Sequence, residues 1–190
     1  MVSGPAGAAT ATRRNLLGVS AAGAALVLAG CGKQGAQQST TSTLPAVADA
    51  DITTLNQLLD LEYKAIAAYT AGTPLLDSSG QAAAKQFLTQ ELYHASRLYS
   101  LITAAGGMPD KQKPNYPLGR PRTREDVLRL LHELEHEQVS GYLAAIPRMT
   151  HKSVRLVLST ILSNDAQHIA VIRSELGLEP VTGAFVVGGE

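Results

Sequence analysis

The sequence predicts an all-α fold, a four-helix bundle made of two antiparallel hairpins joined by one long crossover. Three observations carry that prediction. Apolar residues recur at spacings of three, four and seven in four successive segments, no segment of useful length alternates with period two, and a proline-rich stretch long enough to cross a bundle separates the second segment from the third. Composition agrees. The 190-residue chain has no Trp, two Phe and six Tyr, so its core must come mainly from Leu, Ile, Val and Ala, which suit packed helices. Sixteen Lys plus Arg balance sixteen Asp plus Glu, which removes the basic footprint of a nucleic-acid binder; the single Cys excludes an internal disulfide or a multi-Cys zinc site.

Residues 1–30 read as an export signal. Arg13 and Arg14 stand just before Leu16 and Leu17, and no charged residue follows until after Gly30. That apolar run is about fifteen residues, short of the roughly twenty that a spanning helix needs. Gly18, Gly23 and Gly30, with no caps, argue against a packed helix carrying a buried thiol. The run closes in Leu28-Ala29-Gly30-Cys31, which resembles a bacterial lipobox, and the arginine pair resembles the twin-arginine signal. These resemblances imply export of an already folded protein, a lipidated N-terminus at Cys31, and attachment to the extracytoplasmic face of the cell membrane through that lipid. Residues 31–48, rich in Gly, Gln, Ser and Thr, would serve as a flexible tether.

The bundle is expected over residues 49–177. Its first helix, from Asp51 to about Ala71, carries Leu55, Leu58, Leu59, Ile66 and Tyr69 on one face. The second, from about Gln81 to Ala105, carries Phe87, Leu88, Leu98 and Leu101 and closes at Gly106-Gly107. A third begins at Thr123, where Thr123 and Asp126 suggest a capping box, and runs through Leu128, Leu131, Val139 and Tyr142 to Pro147. The fourth spans about Thr150 to Leu176 with Leu158, Ile161, Leu162, Ile169 and Ile172. Short links within each pair predict antiparallel hairpins. Residues Gly107 to Arg122, with prolines at 109, 114, 117 and 121, can extend about 3.3 Å each, enough to pass the whole length of a helix rising 1.5 Å per residue. The tail, 178–190, is too short for a domain; it could pack along the bundle or pair with a partner.

The two hairpins share a repeat. Leu61-Glu62, Ile66, Tyr69, Ala71 and Pro74 recur 73 residues later as Leu134-Glu135, Val139, Tyr142, Ala144 and Pro147, and Glu91 and His94 recur 74 later as Asp165 and His168. The acids fall inside the apolar stripes. Glu62 has Leu55, Leu58, Leu59, Ile66 and Tyr69 at helical spacing, and Glu135, Asp165 and Glu91 are framed in the same way, so each carboxylate points into the core. Four buried acids repel one another and each carries a desolvation penalty of several kcal/mol, so positive charge is required beside them. Glu91-x-x-His94 and Asp165-x-x-His168 set a carboxylate and an imidazole one turn apart. With one further carboxylate from each of the other two helices, this is the ligand set of di-iron and di-manganese carboxylate bundles.

On these residues the sequence resembles bacterial ferritin-like domain proteins over about Asp51 to Leu176. The resemblance implies a ferritin-like four-helix bundle holding a di-iron or di-manganese centre on Glu62, Glu91, His94, Glu135, Asp165 and His168, with oxidative metal or peroxide chemistry as its activity. One departure stands out. The family pattern has Glu where this chain has Asp165, whose side chain is one methylene shorter; it can still bind one metal, and its bridging of two is the open point. The alternative is a ferritin-like lipoprotein scaffold or interaction module with a vestigial, metal-free site, where the same residues form a buried hydrogen-bonded network. His132, three residues before Glu135, reads either as a group supporting the site from behind its ligands or simply as a partly buried histidine. His136, Glu133 and Glu137 read as a solvated face, and Tyr69 and Tyr142 as core residues with satisfied hydroxyls. Lys111, Lys113, Arg120, Arg122 and Arg124 give the crossover local positive charge, which reads as a solvated surface or as a contact for anionic membrane lipid. Substrate, protein partner and oligomeric state leave no mark in the sequence.

Overall fold

The structure, a computed structural model, describes residues 49–189; the export signal with Arg13 and Arg14, the lipidation site Cys31 and the tether lie outside the described residues. Four helices make the fold: α1 (Asp49–Gly72), α2 (Ser78–Ala104), α3 (Arg124–Ala145) and α4 (Lys152–Glu175). There is no strand among the described residues, and no helix there is long and apolar enough to cross a membrane.

Local chemistry sets the boundaries. Asp77 caps α2, accepting from the Gly80 amide at 2.9 Å and from the Ser79 hydroxyl at 2.9 Å, so the helix starts at Ser78 rather than near Gln81. The Asp77-Ser78-Ser79-Gly80 run, which looks like a loop by composition, is an N-cap. Thr123 and Asp126 do form a reciprocal capping box at α3. Helix α4 starts two residues later than expected because Thr150 is engaged elsewhere. Its amide (3.0 Å) and hydroxyl (2.6 Å) both donate to Asp51, a buried carboxylate in the first turn of α1. This clamp ties the start of α1 to the α3–α4 turn. Asp51→Ala is expected to destabilise the domain by about 1–3 kcal/mol, since two donors lose their acceptor; urea unfolding monitored by circular dichroism would measure it.

The crossover, residues 105–123, runs the length of the bundle. At its start Gly107 lies against Ile52 of α1, and Gly106 supplies the left-handed turn (φ 81°) that ends α2. Asn56 of α1 then donates to the Met108 carbonyl and accepts from the Asp110 amide, while Asp60, one turn on, accepts from Lys113 and Tyr116. The crossover thus travels along α1 in the same direction as α1. At its far end Arg124 pairs with Asp77 and Glu175, and Val127 reaches Gly72. Since α3 begins beside the end of α1, the two helices are antiparallel. Gly141 brings them close, because a Cβ there would lie 2.8 Å from Leu61.

Every stripe residue expected on α1 and α3 is buried; on α2 and α4, Leu88, Leu101 and Leu162 are only partly so. The core forms two clusters. One gathers Leu55, Leu59, Leu98, Ile102, Tyr142 and Leu158, the other Tyr69, Phe87, Leu128, Leu131 and Ile172. On each helix one acid lies between its contributions to the two. The tail folds back on the second hairpin, where Arg173 donates to the Glu179 carbonyl at 2.7 Å and Ser140 donates to that of Gly188.

Candidate metal centre

All six residues singled out from the sequence meet in the layer between the apolar clusters. Glu62, Glu91, Glu135 and Asp165 are wholly buried, His168 is buried, and the His94 side chain keeps 11% exposure. His94 Nδ1 lies 3.4 Å from Asp165 Oδ1, 3.7 Å from Glu62 Oε2 and 3.8 Å from Glu91 Oε1. His168 Nδ1 lies 3.2 Å from both Glu91 Oε1 and Glu135 Oε1. Two overlapping groups result: Glu91, Glu135, Asp165 and His168 form one, and Glu62, His94 and Asp165 the other, with one ligand atom per residue lying within 4.8 Å of the others. Asp165 belongs to both, so its shorter side chain still comes within reach of both imidazoles.

The chemistry of this layer fits a cation. Five buried donor atoms, Glu91 Oε1, His94 Nδ1, Glu135 Oε2 and both oxygens of Asp165, make no hydrogen bond. Unpaired buried polar atoms are costly, and here they converge from three helices on one place. Electrostatics agrees. Burial, reinforced by the charge of Glu91, pushes the Glu62 carboxyl well above the ordinary range; burial and then Glu62 and Glu91 do the same for Asp165, and Glu135 is raised chiefly by burial. Glu91 is the exception. Burial pushes it up, but the nearby imidazoles of His168 (3.2 Å) and His94 (3.8 Å) outweigh this and hold it low. Burial pulls the imidazole of His168 down, yet Glu135 and Glu91 lift it to about 9, and His94 rises through Glu91 and Asp165. Without a cation, burial therefore disfavours charge on Glu62, Glu135 and Asp165, Glu91 is the acid most readily ionised, and both imidazoles are held toward their protonated form. A divalent ion, which requires ionised carboxylates and neutral imidazoles, would replace those protons.

A family model described as ferritin-like domain matches residues 50–178, most of the chain. The chain belongs to the ferritin-like domain family. Among solved structures, the crystal structure of a conserved hypothetical protein, rv2844, from Mycobacterium tuberculosis is similar with a TM-score of 0.65 and 22% identity, over 72% of this chain and 97% of that one. At that identity the likeness speaks to the fold alone. No curated protein matches the sequence.

Within the ferritin-like domain, sequence reasoning missed the residues that hold the candidate ligands. Tyr69 donates to Glu135 Oε1 at 2.5 Å and Tyr142 donates to Glu62 Oε1, so each tyrosine of the repeat serves the acid of the opposite hairpin. Their hydroxyls are satisfied, as the sequence suggested, though by the candidate ligands themselves. Gln138 Nε2 donates to Glu62 Oε2 at 3.0 Å and Glu91 Oε2 at 2.8 Å, and Gln90 Oε1 lies 2.8 Å from His168 Nε2. Gln138 stands three residues after Glu135, on the same face, which is the signal that could have revealed it. His132 is partly buried and remains outside the cluster. His136 departs from the solvated face expected of it: it is half-buried, with its ring 4.5 Å from that of His132, in a pocket that Arg173 and the tail close over.

Proposed function

We propose that this is a membrane-anchored, extracytoplasmic ferritin-like protein that binds a dinuclear Fe or Mn centre on Glu62, Glu91, His94, Glu135, Asp165 and His168, with oxidative metal or peroxide chemistry as its activity. The convergence of unpartnered buried ligand atoms supports the metal reading most strongly. Hard carboxylate oxygens with two imidazoles suit Fe or Mn. Such a pair supplies Lewis acidity and one-electron chemistry toward oxygen or peroxide when bound.

The chain's own part is to place and shield the ligands. Tyr69, Tyr142 and Gln90 orient them, and the stacked Phe87 ring, 4.1 Å from that of His168, covers that imidazole. The two apolar clusters keep water from either side of the acid layer. Among the described residues, His94 is the candidate ligand that keeps side-chain exposure, 11%, and so is the one a small molecule could reach from outside. Anchoring rests on the lipobox-like run ending at Cys31, and the arginine pair fits export after folding, when the metal could already be in place.

A metal-free scaffold is the competing reading, favoured by the hydrogen bonds that already occupy both oxygens of Glu62. One preparation separates the two. The full chain, recovered from cell membranes and loaded anaerobically with Fe(II) or Mn(II), is expected to retain up to two equivalents by elemental analysis, whereas Glu91→Ala retains none and Cys31→Ser moves the chain to the soluble fraction. A parent protein that retains no metal, and melts at the same temperature with and without it, would leave the scaffold.

A further inference from the structure

We infer that the two ends of the ligand cluster are inequivalent, and that the end built on Glu91, Glu135, Asp165 and His168 takes the first metal ion because Gln138 engages Glu62 at the other end. The inference rests on the metal-binding reading above and adds an order of filling and a residue that sets it.

The repeat allows a like-for-like comparison. Tyr69 on Glu135 and Tyr142 on Glu62 are equivalent contacts, each using one oxygen of its acid. The second oxygens differ. Glu135 Oε2 is buried and makes no hydrogen bond, whereas Glu62 Oε2 accepts from the Gln138 amide at 3.0 Å. The amide must present its NH2 group here, because its other partner, Glu91 Oε2 at 2.8 Å, is also an acceptor. Subtracting the repeat offset of 73 from Gln138 gives Ala65, equally buried but with no hydrogen-bonding side chain to offer. Gln138 therefore has no counterpart serving Glu135.

The histidines reinforce the difference. His168 Nε2 lies against Gln90 Oε1 at 2.8 Å, and with that oxygen as acceptor, a neutral ring would carry its hydrogen on Nε2 and turn the Nδ1 lone pair toward Glu91 and Glu135. Phe87 fixes the plane of that ring. The first end thus presents an oriented imidazole, a free Glu135 oxygen, Glu91 Oε1 and Asp165. At the second end both Glu62 oxygens already accept hydrogen bonds, so an ion there competes with the Gln138 amide and the Tyr142 hydroxyl for Glu62.

Anaerobic titration of the full chain with Mn(II), following the free ion by electron paramagnetic resonance, reads the order. The parent is expected to bind in two steps whose dissociation constants differ by about 10–100-fold, the size expected when an ion must displace one hydrogen bond to a charged group. Spin coupling between ions should appear only in the second step. Gln138→Ala, which copies Ala65, and Gln138→Met, which keeps volume without a donor, should bring the steps together. Glu135→Gln should weaken the first step and Glu62→Gln only the second, an assignment that stands even where a Gln138 variant folds poorly. Uptake of two ions in a single step by the parent, or an unchanged gap in folded Gln138 variants, would overturn the inference while sparing the metal-binding reading. A parent that takes up no Mn(II) would overturn both.

Discussion

Asp165→Asn is expected to leave the metal-free domain within about 1 kcal/mol of its parent in stability, yet to weaken Mn(II) binding by more than about 100-fold at both positions. The two halves of this expectation have one cause. Asp165 is wholly buried, neither oxygen makes a hydrogen bond, and burial with the charges of Glu62 and Glu91 raises its pKa well above the ordinary carboxylate range, which favours its neutral form. Asparagine has nearly the same shape and no charge, so the metal-free protein loses little. A cation, by contrast, would draw on the ionised carboxylate, and Asp165 lies in both ligand groups. Thermal melts in chelator, paired with Mn(II) titration, test both halves. Retention of two ions by the variant would remove Asp165 from the site. A loss of several kcal/mol in chelator would show that its carboxylate already has a partner that matters to the fold.

The elements legible in the sequence were those that depend on periodicity along one chain segment. Four stripes, the capping box at Thr123, the glycine stop after α2 and the acids inside the stripes all follow from neighbours within a turn or two. The repeat extended this reach, because a second copy of Glu62 and Tyr69 in register made a shared layer more plausible than any one residue could. What stayed hidden depends on which helix faces which. Tyr69 was visible as a core residue, but its partner Glu135 lies 66 residues away, and only the antiparallel crossing of α1 and α3 selects that acid over the tyrosine's own Glu62. Gln138 was hidden for another reason. A single glutamine in a stripe carries no pattern, and its two carboxylate partners sit on two other helices. The start of α2 was misplaced because Asp, Ser and Gly serve both turns and caps, and composition alone does not separate the two.

The metal-free domain should lose stability as pH rises, while the stabilisation added by metal should grow. In the metal-free domain Glu62, Glu135, Asp165, His94 and His168 all have raised pKa values, His168 reaching about 9. For such groups the stabilisation is complete below the unfolded value, about 6.5 for histidine, and is lost as pH rises through the folded value. Glu91, which is lowered, works the other way, but its stabilisation is lost only as pH falls through the acid range. Between about pH 6.5 and 9 the raised groups therefore decide the sign, and the melting temperature in chelator should fall across that window. Metal competes with those same protons. The rise in melting temperature on adding a fixed excess of Mn(II), measured anaerobically, should accordingly grow from the low end of the window to the high end. A metal-free melting temperature that climbs with pH would mean that the buried acids are ionised at pH 6.5 and held by partners other than the two imidazoles. A metal-induced shift that stays flat would mean that binding displaces no protons, and would place the ion outside this layer.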